Sequence, residues 1–250
     1  MNYKMVYQVY LNRMGDPYYS GEILTIPNRH YADEFYNRCI TTTAGAANPL
    51  NDLVRYSPQF WALPMTMQES RLHNFLTSNA KDLIPTTMIA RTSGSEDAPG
   101  ALPPIPNDAT SNVEYLSGGA YYIRTKSTPH LYWIFQDKGQ KIISLDSRKA
   151  TKFQINRDDS AKPSPALPND RRVLERKDDI ELVVLSPSGG HTIGVSNHYV
   201  STTVTSFHFT FGGFYNGDFG VDWSLKSSNS TGPHLAYQVQ YAGEEWELVN

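Results

Sequence analysis

Three strand-like segments of the chain close on the same pattern: Phe153-Gln154-Ile155, Phe207-His208-Phe209 and Trp246-Glu247-Leu248. In each, an aromatic and an apolar residue flank a polar one, so in extended backbone the outer two face one side and the middle one the other. The first two endings lie 54 residues apart and the last two 39. Setting aside the charged, proline-bearing segment 156–172 leaves an interval of 37. A further β-like run precedes each ending, at Lys141–Leu145, His191–Val195 and His234–Val239. A near-constant period with the same internal order is the mark of a structural repeat. Its physical content is that each closing strand gives large side chains to one shared core, at about 1.5–3 kcal/mol apiece.

The rest of this half agrees. AYYIRTK, HLYWIF, KIISL, KFQI, IELVVL, HTIGV, TSFHFTF, HLAYQVQY and EWELV read as short strands. Turn residues separate them, including Asp137-Lys138-Gly139 and Asn216-Gly217, which points to a sandwich or a closed β fold. Over residues 118–250 the repeat resembles the β-trefoil superfamily. That resemblance implies three four-stranded units around a pseudo-threefold axis, with six strands in a short barrel and three hairpins capping it. The Q-x-W ending of ricin-type trefoil lectins is absent from all three units. The open pattern is more similar to the divergent fungal trefoil lectins and the mycocypin-like protease inhibitors, in which function sits on variable loops and the barrel is scaffold.

The first half is of mixed character. MVYQVYL and GEILTIP read as strands, HYADEFYNRCI as a short helix, and MTMQESRLHNFLTSNAKDLI as a longer one. The longer helix has Met65, Leu72, Phe75 and Leu76 as its apolar stripe, Thr66 with Glu69 as a capping box, and Pro85 as its end. Between Thr92 and Asn112 four prolines stand among small polar residues, the composition of a linker. The expected organisation is therefore mainly β: a smaller N-terminal α+β domain over 1–95, a linker over 96–117 with the boundary near residue 110, and a C-terminal β-trefoil over 118–250.

Composition narrows the function. Twenty-two basic against 25 acidic residues give a net charge of −3, no basic surplus for a phosphate backbone, so nucleic acid is not an expected partner. Cys39 is the single cysteine, which forbids an intrachain disulfide and suits a reducing compartment. The N-terminus is too polar for a signal-peptide core and no apolar run reaches membrane-spanning length, so a soluble, cytoplasmic protein is expected. No histidine spacing suits a metal, and no glycine-rich phosphate loop calls for a cofactor.

The resemblance and the residue chemistry favour a binding protein, with a glycan as ligand. Sugar recognition needs an aromatic face for the ring and polar side chains for the hydroxyls. Asn197, His198 and Tyr199, in a turn between two predicted strands, supply both. Trp133 and Asp222 are the corresponding choices in other units. Any one of them read alone fits an ordinary role, since half-buried rings pack and turn asparagines serve the backbone. The alternative is a protease inhibitor acting through the 156–172 loop. An enzyme with a Cys39–His73 thiol–imidazole pair in the N-terminal domain comes third. Glu245-x-Glu247 resembles the acidic pair of ADP-ribosyltransferases, without a partner arginine in the sequence. The tyrosine-rich strands of the N-terminal domain suggest a homodimer contact.

Overall fold

The computed structural model describes residues 7–13, 22–42, 50, 52–63, 70–86, 88–91, 113–136, 141–158, 172–186, 189–202, 207–222, 234–239 and 242–250. The chain divides into two compact units, Met1–Glu114 and Tyr115–Asn250. Of the linker expected at 96–117, residues 96–112 lie outside the described residues.

The first unit is a five-stranded mixed sheet with helices. Its elements are β1 (Tyr7–Arg13), β2 (Glu22–Ile26), α1 (Arg29–Thr41), β3 (Val54–Ser57), β4 (Phe60–Leu63), α2 (Ser70–Asn79), a 3-10 turn (Lys81–Thr86) and β5 (Met88–Arg91). The order across the sheet is β3-β4-β1-β2-β5, and only β1 with β4 run parallel. The Asn28 side chain caps α1 by accepting from the backbone N–H groups of His30 and Tyr31. The helix buries Ala32, Phe35, Tyr36, Cys39 and Ile40. Leu72, Phe75 and Leu76 of α2 are buried as their spacing requires, while Met65 and the capping pair Thr66 and Glu69 lie outside the described residues. The α2 helix ends at Asn79, before Pro85, and the tighter 3-10 turn carries the chain through the proline.

Arg55 of β3 is the electrostatic centre of this unit. Its guanidinium is 2.6 Å from Asp33 of α1 and 2.9 Å from Glu114. It also lies over the rings of Tyr36 and Trp61, 5.2 and 5.6 Å from their centroids. Arg29 pairs with the same Asp33 at 3.4 Å and donates to the Val113 carbonyl. Two arginines therefore hold Val113 and Glu114 against α1 and β3. A buried charge of this kind is tolerable only because its counter-charges are in contact with it.

The second unit consists of β6 (Gly119–Thr125), β7 (Tyr132–Ile134), β8 (Ser144–Asp146), β9 (Lys152–Arg157), β10 (Asp179–Ser186), β11 (Gly189–Ser196), β12 (Tyr199–Ser201), β13 (Phe209–Thr210), α3 (Gly213–Asn216), β14 (Phe219–Asp222), β15 (His234–Gln238) and β16 (Trp246–Val249). Hydrogen bonding runs β11-β12-β15-β8-β7-β6-β9-β10 and returns from β10 to β11, closing an eight-stranded antiparallel barrel. Three short strands join from outside the ring: β13 on β10, β14 on β15 and β16 on β6. Alternation decides what goes inside. Ile180, Leu182 and Val184 of β10 are fully buried, as are Phe153 and Ile155 of β9.

Trp133 of β7 sits at the centre, with no exposed surface. Its ring meets Phe153 at 5.8 Å, Phe214 at 6.0 Å, Phe219 at 5.4 Å and Trp246 at 5.7 Å, centroid to centroid. Three of these contacts are edge-to-face, the geometry that aromatic quadrupoles favour, at about 0.5–1.5 kcal/mol per pair beyond burial.

The β-trefoil expectation is corrected by this pairing: the closed ring has eight strands, not six with three hairpin caps, and the second fold element is a separate mixed sheet. The three endings that suggested the repeat are not equivalent. Phe153 and Trp246 are buried at the hub, but Phe207 precedes β13, is only half-buried and reaches the core through Phe209. Aromatic–polar–apolar triplets mark where a strand turns a ring inward, and they do so in a barrel without threefold symmetry.

Truncating Trp133 to alanine should cost about 3–5 kcal/mol in equilibrium denaturation, against about 1 kcal/mol for Phe207→Ala. Equal costs would contradict the assignment of Trp133 as the hub.

Candidate functional site

The β11–β12 connection is a two-residue turn, because Ser196 and Tyr199 face each other across the ladder. Its central residues, Asn197 and His198, have φ of 50° and 70°. Both positions of a hairpin turn of this hand need positive φ. Asparagine is comfortable there, but the second position normally takes glycine. A histidine held in that region costs on the order of 1–3 kcal/mol, and such strain concentrates at binding and catalytic sites. The neighbouring strand over-determines the turn: the Gln238 N–H donates to the His198 carbonyl at 2.7 Å. Both turn side chains are exposed.

Beside the turn, the barrel strands β12 and β15 and the appended β14 form a three-stranded patch. Tyr199 lies opposite Tyr237, Tyr237 opposite Gly220, and Leu235 opposite Asp222. Alternation sends Val200, Ala236 and Val221 into the core, at 0, 0 and 5% exposure. Tyr199, Tyr237 and Asp222 are thereby turned to the outer face. The Tyr199 hydroxyl reaches over β15 and donates to Asp222 Oδ2 at 2.9 Å. The Tyr237 ring lies against Gly220: a Cβ at that position would come within 2.6 Å of two ring carbons. Any larger residue at that position would displace the Tyr237 ring from its place against the β14 backbone.

Asn197, His198, Tyr199, Val221, Asp222 and Tyr237 line a cleft of about 460 Å3. The hydrogen bond to Asp222, and then the charge of that carboxylate, push the Tyr199 phenol above its ordinary value of 10.0, with burial adding to the effect. Tyr199 is therefore a committed donor at neutral pH, and Asp222 is held in a fixed orientation. The described lining offers two tyrosine rings, one carboxylate, one amide and one imidazole. Among the described residues that line it none is serine, cysteine, lysine or arginine.

Four of the residues singled out in the sequence meet here: Asn197, His198, Tyr199 and Asp222. Asp222 comes from what the repeat reading made a different unit, and strand register brings it in. Trp133 is elsewhere, enclosed in the core with no ring face open to a ligand. Tyr237 and Gly220 were missed. A lone glycine inside an apolar strand, Phe219-Gly220-Val221, is a signal for close approach by another group, but nothing local names Tyr237 as that group.

The other candidates resolve as follows. Cys39 is completely buried in α1, and burial drives its thiol well above its ordinary value, which makes it a packing residue and a poor nucleophile. The His73 side chain and residues 159–171 of the expected inhibitory loop lie outside the described residues. Glu247 pairs with Arg124 at 2.6 Å across the β16–β6 ladder, and Glu245 with Lys126 at 3.0 Å, so both acids brace strands. Among the described residues no group of three or more side chains could hold a metal ion, and no helix is long and apolar enough to cross a membrane. No family model, curated protein or solved structure matches the chain.

The Tyr199–Asp222 bond has a titration signature. The phenol absorbance lost on Tyr199→Phe should belong to a group ionising above pH 10, and Asp222→Asn should bring that ionisation down. Because the folded value is raised, the bond stabilises the fold at neutral pH and is lost as pH rises through that value. A Tyr199 titration unaffected by Asp222→Asn would contradict the contact.

Proposed function

We propose that the chain is a carbohydrate-binding protein and that the cleft on β12, β14 and β15 is its site. The observation that carries the reading is the Tyr237 ring packed against Gly220, beside a carboxylate that accepts from the Tyr199 hydroxyl. A pyranose presents an apolar face of C–H groups and a rim of hydroxyls. The ring suits the face, while Asp222 can accept from hydroxyls, Asn197 can donate and accept, and the His198 imidazole adds a further polar contact. A shallow site of this kind, with a few hydrogen bonds at about 0.5–1.5 kcal/mol each, binds a single sugar residue with Kd on the order of 0.1–1 mM.

The discriminating experiment is a glycan array with the full chain, followed by titration of the best ligand. Tyr237→Ala should weaken binding at least about tenfold. Gly220→Ala should weaken it too, by displacing the Tyr237 ring while leaving Asp222 and Asn197 unaltered. Binding indifferent to both substitutions, or an array with no ligand, would contradict the proposal.

A further inference from the structure

A glycine at the second position of the β11–β12 turn would hold the same backbone without strain. The chain has His198 there instead, with φ of 70°. Its imidazole is exposed, so burial does not offset the strain, and it lines the cleft. Its backbone is pinned from β15: the Gln238 N–H donates to the His198 carbonyl at 2.7 Å, and Gln238 directly follows Tyr237. One short stretch of β15 therefore positions both the Tyr237 ring and the residue that carries the imidazole. Resting on the glycan reading, we propose that His198 makes the deciding hydrogen bond to the sugar: its neutral imidazole accepts from a sugar hydroxyl, and binding is lost when the imidazole takes up a proton.

A neutral imidazole has one ring nitrogen that accepts and one that donates, whereas an imidazolium only donates. Protonation therefore removes the acceptor that the hydroxyl uses. A sugar lying over the ring also takes water away from it, which disfavours the charged form. Both effects have the same sign, so an uncharged glycan binds more tightly as pH rises through the range in which histidines ordinarily lose their charge, between about pH 5 and 8. The other titratable groups in the described lining are Tyr199 of β12, Asp222 of β14 and Tyr237 of β15. The Asp222 carboxylate acts on the imidazole with the sugar present or absent, so it does not set the direction of the change.

The test is an array of uncharged glycans probed with the full chain at about pH 8 and about pH 5, followed by titration of the tightest one. From the higher pH to the lower, affinity should fall at least about fivefold, the loss of one hydrogen bond. His198→Asn also suits the left-handed region and carries no charge at either pH. It should bind equally well at both. His198→Gly relieves the backbone, so it should raise the thermal midpoint by about 2–4 °C. It should also weaken binding at the higher pH at least about fivefold. A flat profile in the unmodified chain would overturn the role of His198 and leave the glycan reading standing. So would an equally steep profile in His198→Asn, or full affinity in His198→Gly. A His198→Gly chain no more stable than the unmodified one would overturn the strain on which the assignment rests. An array with no signal at either pH would overturn this role and the glycan reading together.

Discussion

Everything in the second unit depends on one buried indole. Trp133 enters from a three-residue strand, β7, and touches rings from β9, α3, β14 and β16. A short strand has few ladder hydrogen bonds, so its position is set by packing rather than by pairing. The indole N–H finds no hydrogen-bond partner among the described residues. The position is therefore selected for ring contact, at a desolvation cost of about 1–3 kcal/mol that the surrounding aromatic burial must exceed.

The hub also builds the cleft. Phe219, at the start of β14, is one of the rings on Trp133 and stacks on Phe214 at 5.2 Å. With Phe219 fixed inward, the period of two fixes the rest of β14: Gly220 outward, Val221 inward, Asp222 outward. The Trp246 indole donates to the Phe219 carbonyl at 2.9 Å, which locks the register at its origin. On the outer face the same register sets Gly220 under Tyr237 and brings Asp222 within reach of Tyr199. Core and site are the two sides of one strand. The strain at His198 is supportable because both the hairpin and β15 hold the turn.

The sequence was legible where periodicity is local. Most strands of the second unit, α1, the buried stripe of α2 and the turn at Asn197-His198 follow from spacing and turn chemistry, whereas the short β12 and β14 were not read as strands. The architecture was not, because aromatic–polar–apolar endings report which way a strand faces and say nothing about its partner. Phe207 fits the pattern in sequence, yet Phe209 is the buried ring. Trp133 next to turn residues looks like a surface platform until long-range pairing encloses it. Asp222 and Tyr237 meet Tyr199 only through the β12–β15–β14 register, a non-local fact. The clamp of Arg55 on Asp33 and Glu114 in the first unit was hidden for the same reason: its partners are 22 and 59 residues away.

The central claim is that packing at Trp133 fixes a register whose outer face carries the proposed binding cleft. Amide chemical-shift mapping with a bound oligosaccharide tests it most directly. The account predicts that the shifted resonances cluster at Asn197–Tyr199, Gly220–Asp222 and Tyr237, while the core strands β9 and β10 stay unperturbed. Shifts centred on the flanks of the 159–171 segment, or on the first unit, with that patch silent, would contradict it.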